Sequence, residues 1–286
     1  MIPSSFDYAA PETISEALKL LAANPDSKVL AGGQSLIPLL KLRLAAPGQL
    51  IDLGRVPDLH FIAETGQVIR IGAMTTHYQI ETSELLREKC PLLAKTAANI
   101  GDVQVRNRGT IGGSVAHADP AADYPAALLA LGAKVKIVGA KGERELGIED
   151  FLVEALTTAL EPGEIISEIQ VPVEDKSVGT AYRTLVQPAS GFAIVGVGVR
   201  LAAKGGKITL ARIGVTGVAS KPFRASKAES ALEGKAPTAE NFAAAAALAA
   251  DGVDALSDLH ASAEYRSHLA VVETRRALAE AAQGLA

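Results

Sequence analysis

Two short segments of the chain each carry a pair of adjacent glycines, residues 31–35 (AGGQS) and residues 110–114 (TIGGS). Each pair stands where an apolar, strand-like run gives way to a helical pattern. A glycine pair lets the main chain approach an anion without a Cβ in the way, and a following helix adds unpaired N–H groups and the positive end of its dipole. Together the two segments predict one phosphate or pyrophosphate site that is held from both sides.

Neither segment fits the standard phosphate motifs. The first lacks the Lys-Ser/Thr ending of a P-loop, and neither has the three-glycine spacing of a dinucleotide-binding Rossmann turn. Taken alone, a glycine pair after a strand is more often an ordinary tight turn. The prediction of an anion site therefore depends on both segments and on the residues that flank them.

Length and charge bound the class of protein. A chain of 286 residues favours two domains and can bury a cofactor, and its net charge of −4 gives no electrostatic reason to expect binding to nucleic acid or an anionic membrane. No stretch approaches twenty uninterrupted apolar residues, and the N-terminus lacks the pattern of an export signal. We expect a cytoplasmic protein without a membrane span.

Cys90 is the only cysteine of the sequence. A single thiol excludes an intrachain disulfide and a cysteine-ligated iron–sulfur cluster on this chain. The five histidines show no ligand spacing, so we expect no metal site. Cys90 itself, next to an apolar helical run, is expected to be a buried core residue.

The pattern of apolar residues predicts an α+β fold. Thr13 and Glu16 are spaced as a capping box and predict the start of the first helix. Strands are predicted over residues 28–30, 49–53, 59–63, 68–72, 134–138, 164–171, 181–187, 192–202 and 207–218, and helices over residues 36–43, 76–89, 91–99, 121–131, 225–232, 238–250 and 261–283. The predicted domains are residues 1–175, with subdomains 1–56 and 57–175, and residues 178–286, joined by a proline-bearing linker at 172–177.

Three runs carry a resemblance to a known family: AGGQSLIP (31–38), RNRGTIGGSVA (106–116) and ADPAADY (118–124). They resemble the flavin-binding subunit of the molybdenum hydroxylases, the family of carbon monoxide dehydrogenase, xanthine dehydrogenase and the bacterial aldehyde and N-heterocycle dehydrogenases. The similarity continues through GEIISEIQVP (163–172) and ASAEYRSHL (261–269), so it covers essentially the whole chain. The length matches the free-standing medium subunit of three-subunit enzymes.

The resemblance implies a fold, a cofactor and partners. The fold is a two-subdomain FAD-binding domain of the PCMH type, followed by a C-terminal domain with a three-stranded antiparallel sheet and a helical bundle. FAD is expected to bind noncovalently to this chain, with molybdopterin on a large partner subunit and two [2Fe-2S] clusters on a small one, in a dimer of heterotrimers.

The resemblance also implies a role. The chain would pass electrons from the clusters through FAD to an external acceptor, with no catalytic residue of its own. The alternative is a self-contained FAD-dependent oxidase or reductase of the same fold.

The resemblance further implies which residues wrap the FAD pyrophosphate, through main-chain N–H groups and with help from three hydroxyls. The first set comprises Ala31, Gly32, Gly33, Gln34, Ser35 and Leu36. The second set comprises Thr110, Ile111, Gly112, Gly113 and Ser114.

Four further positions follow from the same resemblance. Asp123 corresponds to an acidic ligand for the adenosine ribose or adjacent FAD hydroxyls, and its alternative is an acid at a helix N-terminus, favoured by the dipole. Ile166 corresponds to an apolar contact near the flavin. Arg183 is either a cation near the pyrimidine end of the ring or a strand-surface charge, and Phe192 is either an aromatic beside the ring or an ordinary core aromatic.

Overall fold

The structure, a computed structural model, describes residues 2–285. Its helices are α1 (Ile14–Ala23), α2 (Leu36–Lys41), α3 (His77–Thr82), α4 (Glu84–Lys89), α5 (Pro91–Asn99), α6 (Val103–Arg106), α7 (Ile111–His117), α8 (Asp123–Leu131), α9 (Ile148–Phe151), α10 (Ser226–Leu232), α11 (Ala239–Ala246) and α12 (Ala263–Ala282). Its strands are β1 (Asp7–Ala9), β2 (Ser27–Leu30), β3 (Gln49–Asp52), β4 (Ile62–Thr65), β5 (Val68–Gly72), β6 (Lys134–Gly139), β7 (Gly142–Gly147), β8 (Leu152–Glu154), β9 (Thr157–Thr158), β10 (Ile165–Pro172), β11 (Val178–Val186), β12 (Ala193–Lys204), β13 (Lys207–Thr216) and β14 (Phe223–Arg224).

A small parallel sheet in the order β1-β3-β2 opens the fold. Helix α1 covers it and begins at the predicted cap, where the Thr13 hydroxyl accepts the N–H of Glu16 at 3.1 Å. Ala17 of α1 packs with Ile51 and Leu53 in the core of this unit. Strand β1 was not predicted, because three residues carry no alternation and the strand exists only through its pairing with β3.

The second sheet is antiparallel, with the order β4-β5-β10-β6-β7. The strand predicted at residues 59–63 begins later, at Ile62, because a 3-10 turn over Pro57–Leu59 buries Leu59. Strand β7, with the sequence GERELG, was also missed, since its side chains are mostly exposed and carry no apolar alternation. One face of this sheet belongs to a single apolar core that also contains residues of α5, α7 and α8.

The predicted linker at residues 172–177 is anchored to both neighbouring parts of the fold. The N–H of Glu174 donates to the carbonyl of Lys89 at 2.8 Å, and the Glu174 carboxylate pairs with Arg200 at 2.7 Å. Glu174 is buried, and burial raises its pKa. The segment is therefore held in place by contacts with both parts of the fold and is not a flexible linker.

The third sheet runs β11-β12-β13-β14 and is antiparallel throughout. Its first three strands confirm the predicted antiparallel C-terminal sheet, and the short β14 adds a fourth strand. Side chains alternate between its faces. One face packs against α10, α11 and α12, and the other against α8.

Helix α8 lies directly on the backbone of the third sheet. A Cβ on Gly214 would overlap the carbonyl oxygen of Ala126, and one on Gly198 would stand 3.1 Å from that oxygen. All nine residues of α8 are buried, as expected for a helix that is apolar on every side. The contact between α8 and the sheet has no room for an added side chain.

Candidate functional site

The two glycine segments meet in space, although their first residues, Ala31 and Thr110, are 79 positions apart in sequence. A Cβ on Gly32 would overlap the carbonyl oxygen of Arg108 and stand 2.6 Å from the Cα of Gly109. A Cβ on Gly113 would stand 3.3 Å from the Cβ of Ala31. The glycines are therefore required for the segments to touch, and the structure brings the two predicted halves of the cradle together.

The first segment offers a run of unused main-chain donors. None of the N–H groups of residues 32–35 donates to an acceptor within residues 2–285. Gly33 has φ +75°, the left-handed conformation that glycine adopts cheaply, and Ser35 precedes α2 without a side-chain capping bond. Successive free N–H groups in such a turn form a concave anion site.

The second segment starts a helix, as predicted, but its N–H groups are already bonded within the chain and are not the unpaired donors that were expected. Thr110 caps α7: its hydroxyl accepts a hydrogen bond from the N–H of Gly113 at 3.1 Å, and its carbonyl accepts one from the N–H of Ser114 at 3.0 Å. The N–H groups of Ile111 and Gly112 donate to the carbonyls of Thr75 and Ala73, which lie in the turn that follows β5.

Two corrections follow for this segment. The short helix α6, and not a strand, precedes it. For the predicted anion site, the second glycine segment would then offer its close backbone approach and the Ser114 hydroxyl, while the first segment would offer the free N–H groups.

A buried histidine, His77, packs next to Gly109, where the first glycine segment meets the chain that leads into the second. His77 donates its N–H to the carbonyl of Gly109 at 2.9 Å, and a Cβ on Gly109 would stand 2.5 Å from His77 Nε2. The ring lies edge-on to Tyr124, with Nδ1 3.2 Å from the Tyr124 hydroxyl. Burial lowers the pKa of His77 to about 4, with a smaller contribution from Arg106, so the ring is neutral at physiological pH. Sequence patterns gave no reason to single out His77.

Asp123 occupies the first position of α8 and is only 4% exposed. The Tyr182 hydroxyl donates to its Oδ1 at 2.6 Å. Burial raises the pKa of Asp123 to about 7, and the bond from Tyr182 opposes that rise. The predicted position at a helix N-terminus is thus present, but it is a buried site and not an exposed cap. Tyr182 was missed, because it lies 59 residues away in another sheet.

Phe192 is an exposed aromatic at the start of β12. Its side chain is 44% exposed, which excludes the alternative of an ordinary core residue. The turn before it approaches the loop between α5 and α6, where a Cβ on Gly191 would stand 3.5 Å from the Cα of Gly101. Phe192 also lines a cavity of about 240 Å³ together with Pro120 and Arg266.

Ile166 and Arg183 are placed differently from one another. Ile166 is buried in the apolar core of the second sheet, next to a β-bulge in the pairing of β10 with β6. Arg183 follows Tyr182 on β11, so it points to the opposite face, where its Nε lies 3.6 Å from Glu273 and its Nη1 3.8 Å from Glu280. These pairs support the strand-surface alternative for Arg183 and not a contact with the ring.

Nothing in residues 2–285 groups three or more His, Cys, Asp or Glu side chains in a way that could hold a metal ion. Cys90 is buried, as expected, and burial raises the pKa of its thiol to about 12. Within the same residues no helix is long and apolar enough to cross a bilayer.

Two family models match the chain: the FAD binding domain in molybdopterin dehydrogenase over residues 4–174, and the CO dehydrogenase flavoprotein C-terminal domain over residues 180–281. The chain therefore belongs to the FAD-binding medium subunits of the molybdenum hydroxylases, and it is an oxidoreductase subunit. This confirms the resemblance, the α+β fold and FAD as the cofactor.

Individual relatives are similar over their full length. The carbon monoxide dehydrogenase medium chain of Afipia carboxidovorans is 41% identical over 282 residues, which is 98% of both chains. The 6-hydroxypseudooxynicotine dehydrogenase complex subunit alpha of Paenarthrobacter nicotinovorans is 40% identical over 283 residues, 98% of this chain and 96% of the relative. A chain of the solved carbon monoxide dehydrogenase from Hydrogenophaga pseudoflava matches with a TM-score of 0.97 and 41% identity over 100% of both chains.

Proposed function

We propose that this chain is the electron-transfer subunit of a heterotrimeric molybdenum hydroxylase in the cytoplasm. A large subunit with molybdopterin would oxidise the substrate, and a small subunit with [2Fe-2S] clusters would deliver electrons to the FAD of this chain. The names of the relatives as medium chains and complex subunits support this division of labour. The single cysteine also supports it, because iron–sulfur ligands must then come from another chain.

The observation that carries the proposal is the run of free N–H groups at residues 32–35, beside the start of α7. These groups fit a pyrophosphate, because its oxygens accept several hydrogen bonds at once. The hydroxyls of Ser35 and Ser114 would assist them. Ala31, Gln34 and Leu36 belong to the same wall, and Thr110 holds the helix start that closes it.

The remaining contacts are assigned along the length of the cofactor. Asp123 would accept hydrogen bonds from ribose or adjacent hydroxyls, and the exposed Phe192 would lie beside the flavin ring. Ile166 would contribute apolar packing from β10. Arg183 is left out of this site, because its partners are on α12.

When bound, FAD supplies a redox centre that takes up electrons and releases them to an external acceptor. The chain's own residues bind and orient the cofactor and keep its neighbourhood dry. The close contact of Gly32 with Gly109 and the buried His77 hold the cradle rigid. We further propose domain boundaries at residues 1–175 and 178–286 and assembly as a dimer of heterotrimers.

Purification from the native source, followed by flavin, molybdenum and iron analysis, tests the proposal. We expect FAD on this chain, and molybdenum and iron in the co-purifying subunits. Recovery of a lone flavoprotein that reduces its FAD with a small organic substrate would instead identify the self-contained oxidase or reductase. A chain that fails to retain FAD after reconstitution contradicts the cofactor assignment itself.

A further inference from the structure

Tyr182 reaches from the third sheet into the core of the second. It belongs to β11, yet its ring is buried among the apolar residues that pack against α8. Its hydroxyl donates to Asp123 Oδ1 at 2.6 Å, a distance typical of a hydrogen bond to a charged acceptor. Within residues 2–285 no Lys, Arg or His lies within salt-bridge distance of Asp123, and Tyr182 is the sole side-chain donor to its carboxylate.

The neighbouring strand makes room for this hydroxyl. A Cβ on Gly196 of β12 would stand 2.5 Å from the Tyr182 oxygen and 2.9 Å from Thr216. The hydroxyl can therefore occupy its place only because residue 196 is glycine. A buried tyrosine has few rotatable bonds, so the donor is held at one point opposite the carboxylate.

One carboxylate oxygen remains for a ligand. Oδ1 accepts the hydrogen bond from Tyr182, and Oδ2 receives no side-chain donor from the described residues; besides Tyr182, only the N–H of Asp123 itself, at the start of α8, stabilises the ionised carboxylate. The ionised carboxylate accepts hydrogen bonds strongly on both oxygens, whereas protonation turns one oxygen into a donor and a weak acceptor, and an isolated carboxylate in an apolar setting tends to protonate. A donor that prefers the ionised form thus keeps Asp123 able to bind hydroxyl groups.

We propose that Tyr182 is a positioning residue for FAD: it fixes the Asp123 carboxylate so that the second oxygen accepts from the cofactor's hydroxyls. The proposal rests on the proposed FAD site and extends it, because Tyr182, a residue of the C-terminal domain, then shapes cofactor affinity without touching the cofactor. Neither residue changes its covalent state.

The first test is FAD affinity of the full chain, measured by quenching of flavin fluorescence. Loss of one hydrogen bond to a charged group should weaken binding by Tyr182→Phe about tenfold at pH 7. Tyr8→Phe is the matched control, since it removes the same kind of bond, from the Tyr8 hydroxyl to Asp52 Oδ2 at 2.7 Å, in the first sheet and outside the proposed FAD site. We expect near-normal FAD affinity for this control.

A double-mutant cycle shows whether Tyr182 acts through Asp123. The double variant Tyr182→Phe/Asp123→Asn should bind FAD no more weakly than Asp123→Asn alone. Full additivity, or a Tyr182→Phe variant with wild-type affinity, overturns the proposal. Thermal unfolding of each apoprotein confirms that the variants are folded.

A pH profile separates positioning from packing. Burial keeps Tyr182 and Tyr124 protonated by raising their pKa values, and His77, with a pKa of about 4, stays neutral above pH 6. The charged residues facing α8 from β13, β14 and α9 gather at its far end, where Arg212 bonds the carbonyl of Leu129; they are Arg212, Arg224 and Glu149. His117 of α7 is the other titratable side chain to control for.

We expect the affinity of Tyr182→Phe for FAD to recover towards pH 9, with its midpoint above that of the wild type. Asp123→Asn should remove this dependence, whereas a contribution from His117 would survive in it. A loss of affinity that is equal at every pH would assign Tyr182 a packing role only. Wild-type protein that binds no FAD at any pH would contradict the proposed function, which keeps the two failures distinct.

Discussion

At the scale of single residues, the buried carboxylate of Asp123 has two opposite effects: it is proposed to bind FAD, and its ionisation lowers the stability of the folded apoprotein. Its folded-state pKa, about 7, lies above the unfolded value of 3.8, so the folded protein holds an extra proton between these values. The stability that this group contributes is complete below pH 4 and is lost as the pH rises through 7. A carboxylate kept at such a cost is consistent with a role in binding.

Asp123→Asn should therefore stabilise the apoprotein at pH 8, by about 1–3 kcal/mol, while it weakens FAD binding. Chemical denaturation at pH 8 and at pH 4 measures the first effect, which should shrink at the lower pH. An asparagine variant that is less stable than the wild type at pH 8 would mean that the buried carboxylate is structurally required.

His77 has the opposite dependence on pH. Its folded-state pKa of about 4 lies below the usual 6.5, so the unfolded chain binds the extra proton and stability falls as the pH drops from 6.5 to 4. The expected loss is about 3 kcal/mol. Denaturation curves across this range should show a shallower slope for His77→Gln than for the wild type, and equal slopes would assign the acid sensitivity to other groups.

The contact between the glycine segments is tested at the level of the loop. Gly32→Ala would push a methyl group into the carbonyl of Arg108, so the first segment must move away from α7. We expect FAD affinity to fall about tenfold or more and stability to fall by about 1–3 kcal/mol.

Gly147→Ala is the matched control, because its added Cβ would meet only the Asp150 carboxylate at 3.6 Å and the backbone has negative φ. Titration of both variants with FAD decides the matter. Equal affinity of the two would show that the close approach of the segments is not needed for binding.

Elements with strong local signals were predictable from the sequence, and elements defined by their partners were not. Thr13 and Glu16 predicted the start of α1 because a side-chain cap is a contact within one turn, although only half of the capping box forms: Thr13 accepts the N–H of Glu16, whereas the Glu16 carboxylate accepts the N–H of Glu12. The sequence placed the glycine pair at residues 112–113 at the start of a helix, but it could not show that the N–H of Gly112 is already bonded by the carbonyl of Ala73 and that of Gly113 by the Thr110 hydroxyl. Resemblance located Asp123, but Tyr182 could be found only once β11 and α8 were brought together.

The same limit explains Arg183. Its charge suggested a role at an anionic ring, yet the alternation of β11 puts it on the face opposite Tyr182, among the carboxylates of α12. A shift of one residue along a strand decides which side of a sheet a group serves. That register depends on packing and is not visible in residue type.

At the scale of the whole molecule, two glycines of the third sheet lie at different interfaces, one with α8 and the other with α12. A Cβ on Gly214 would overlap Ala126 of α8, and one on Gly179 would overlap Ala281 of α12 on the other face. Both alanine variants should destabilise the protein by a few kcal/mol. Only Gly214→Ala separates the C-terminal sheet from the part of the fold that contains the cradle.

We expect Gly214→Ala to split thermal unfolding into two transitions, to weaken FAD binding and to expose residues 173–177 to proteases. Gly179→Ala should leave FAD affinity nearly unchanged in the fraction that remains folded. Calorimetry and limited proteolysis check both. A single transition with normal FAD binding in Gly214→Ala would show that the two parts do not depend on this contact.

Helix α8 has a consequence for how the protein is made. Because the chain leaves the ribosome from its N-terminus, this helix of nine residues, all apolar or aromatic except Asp123, emerges well before β12 and β13, which cover one side of it. Until residue 216 has been synthesised, the apolar side of α8 that faces these strands remains exposed to solvent. The nascent chain is therefore most vulnerable to aggregation, and most dependent on chaperones, during the interval between these two stretches.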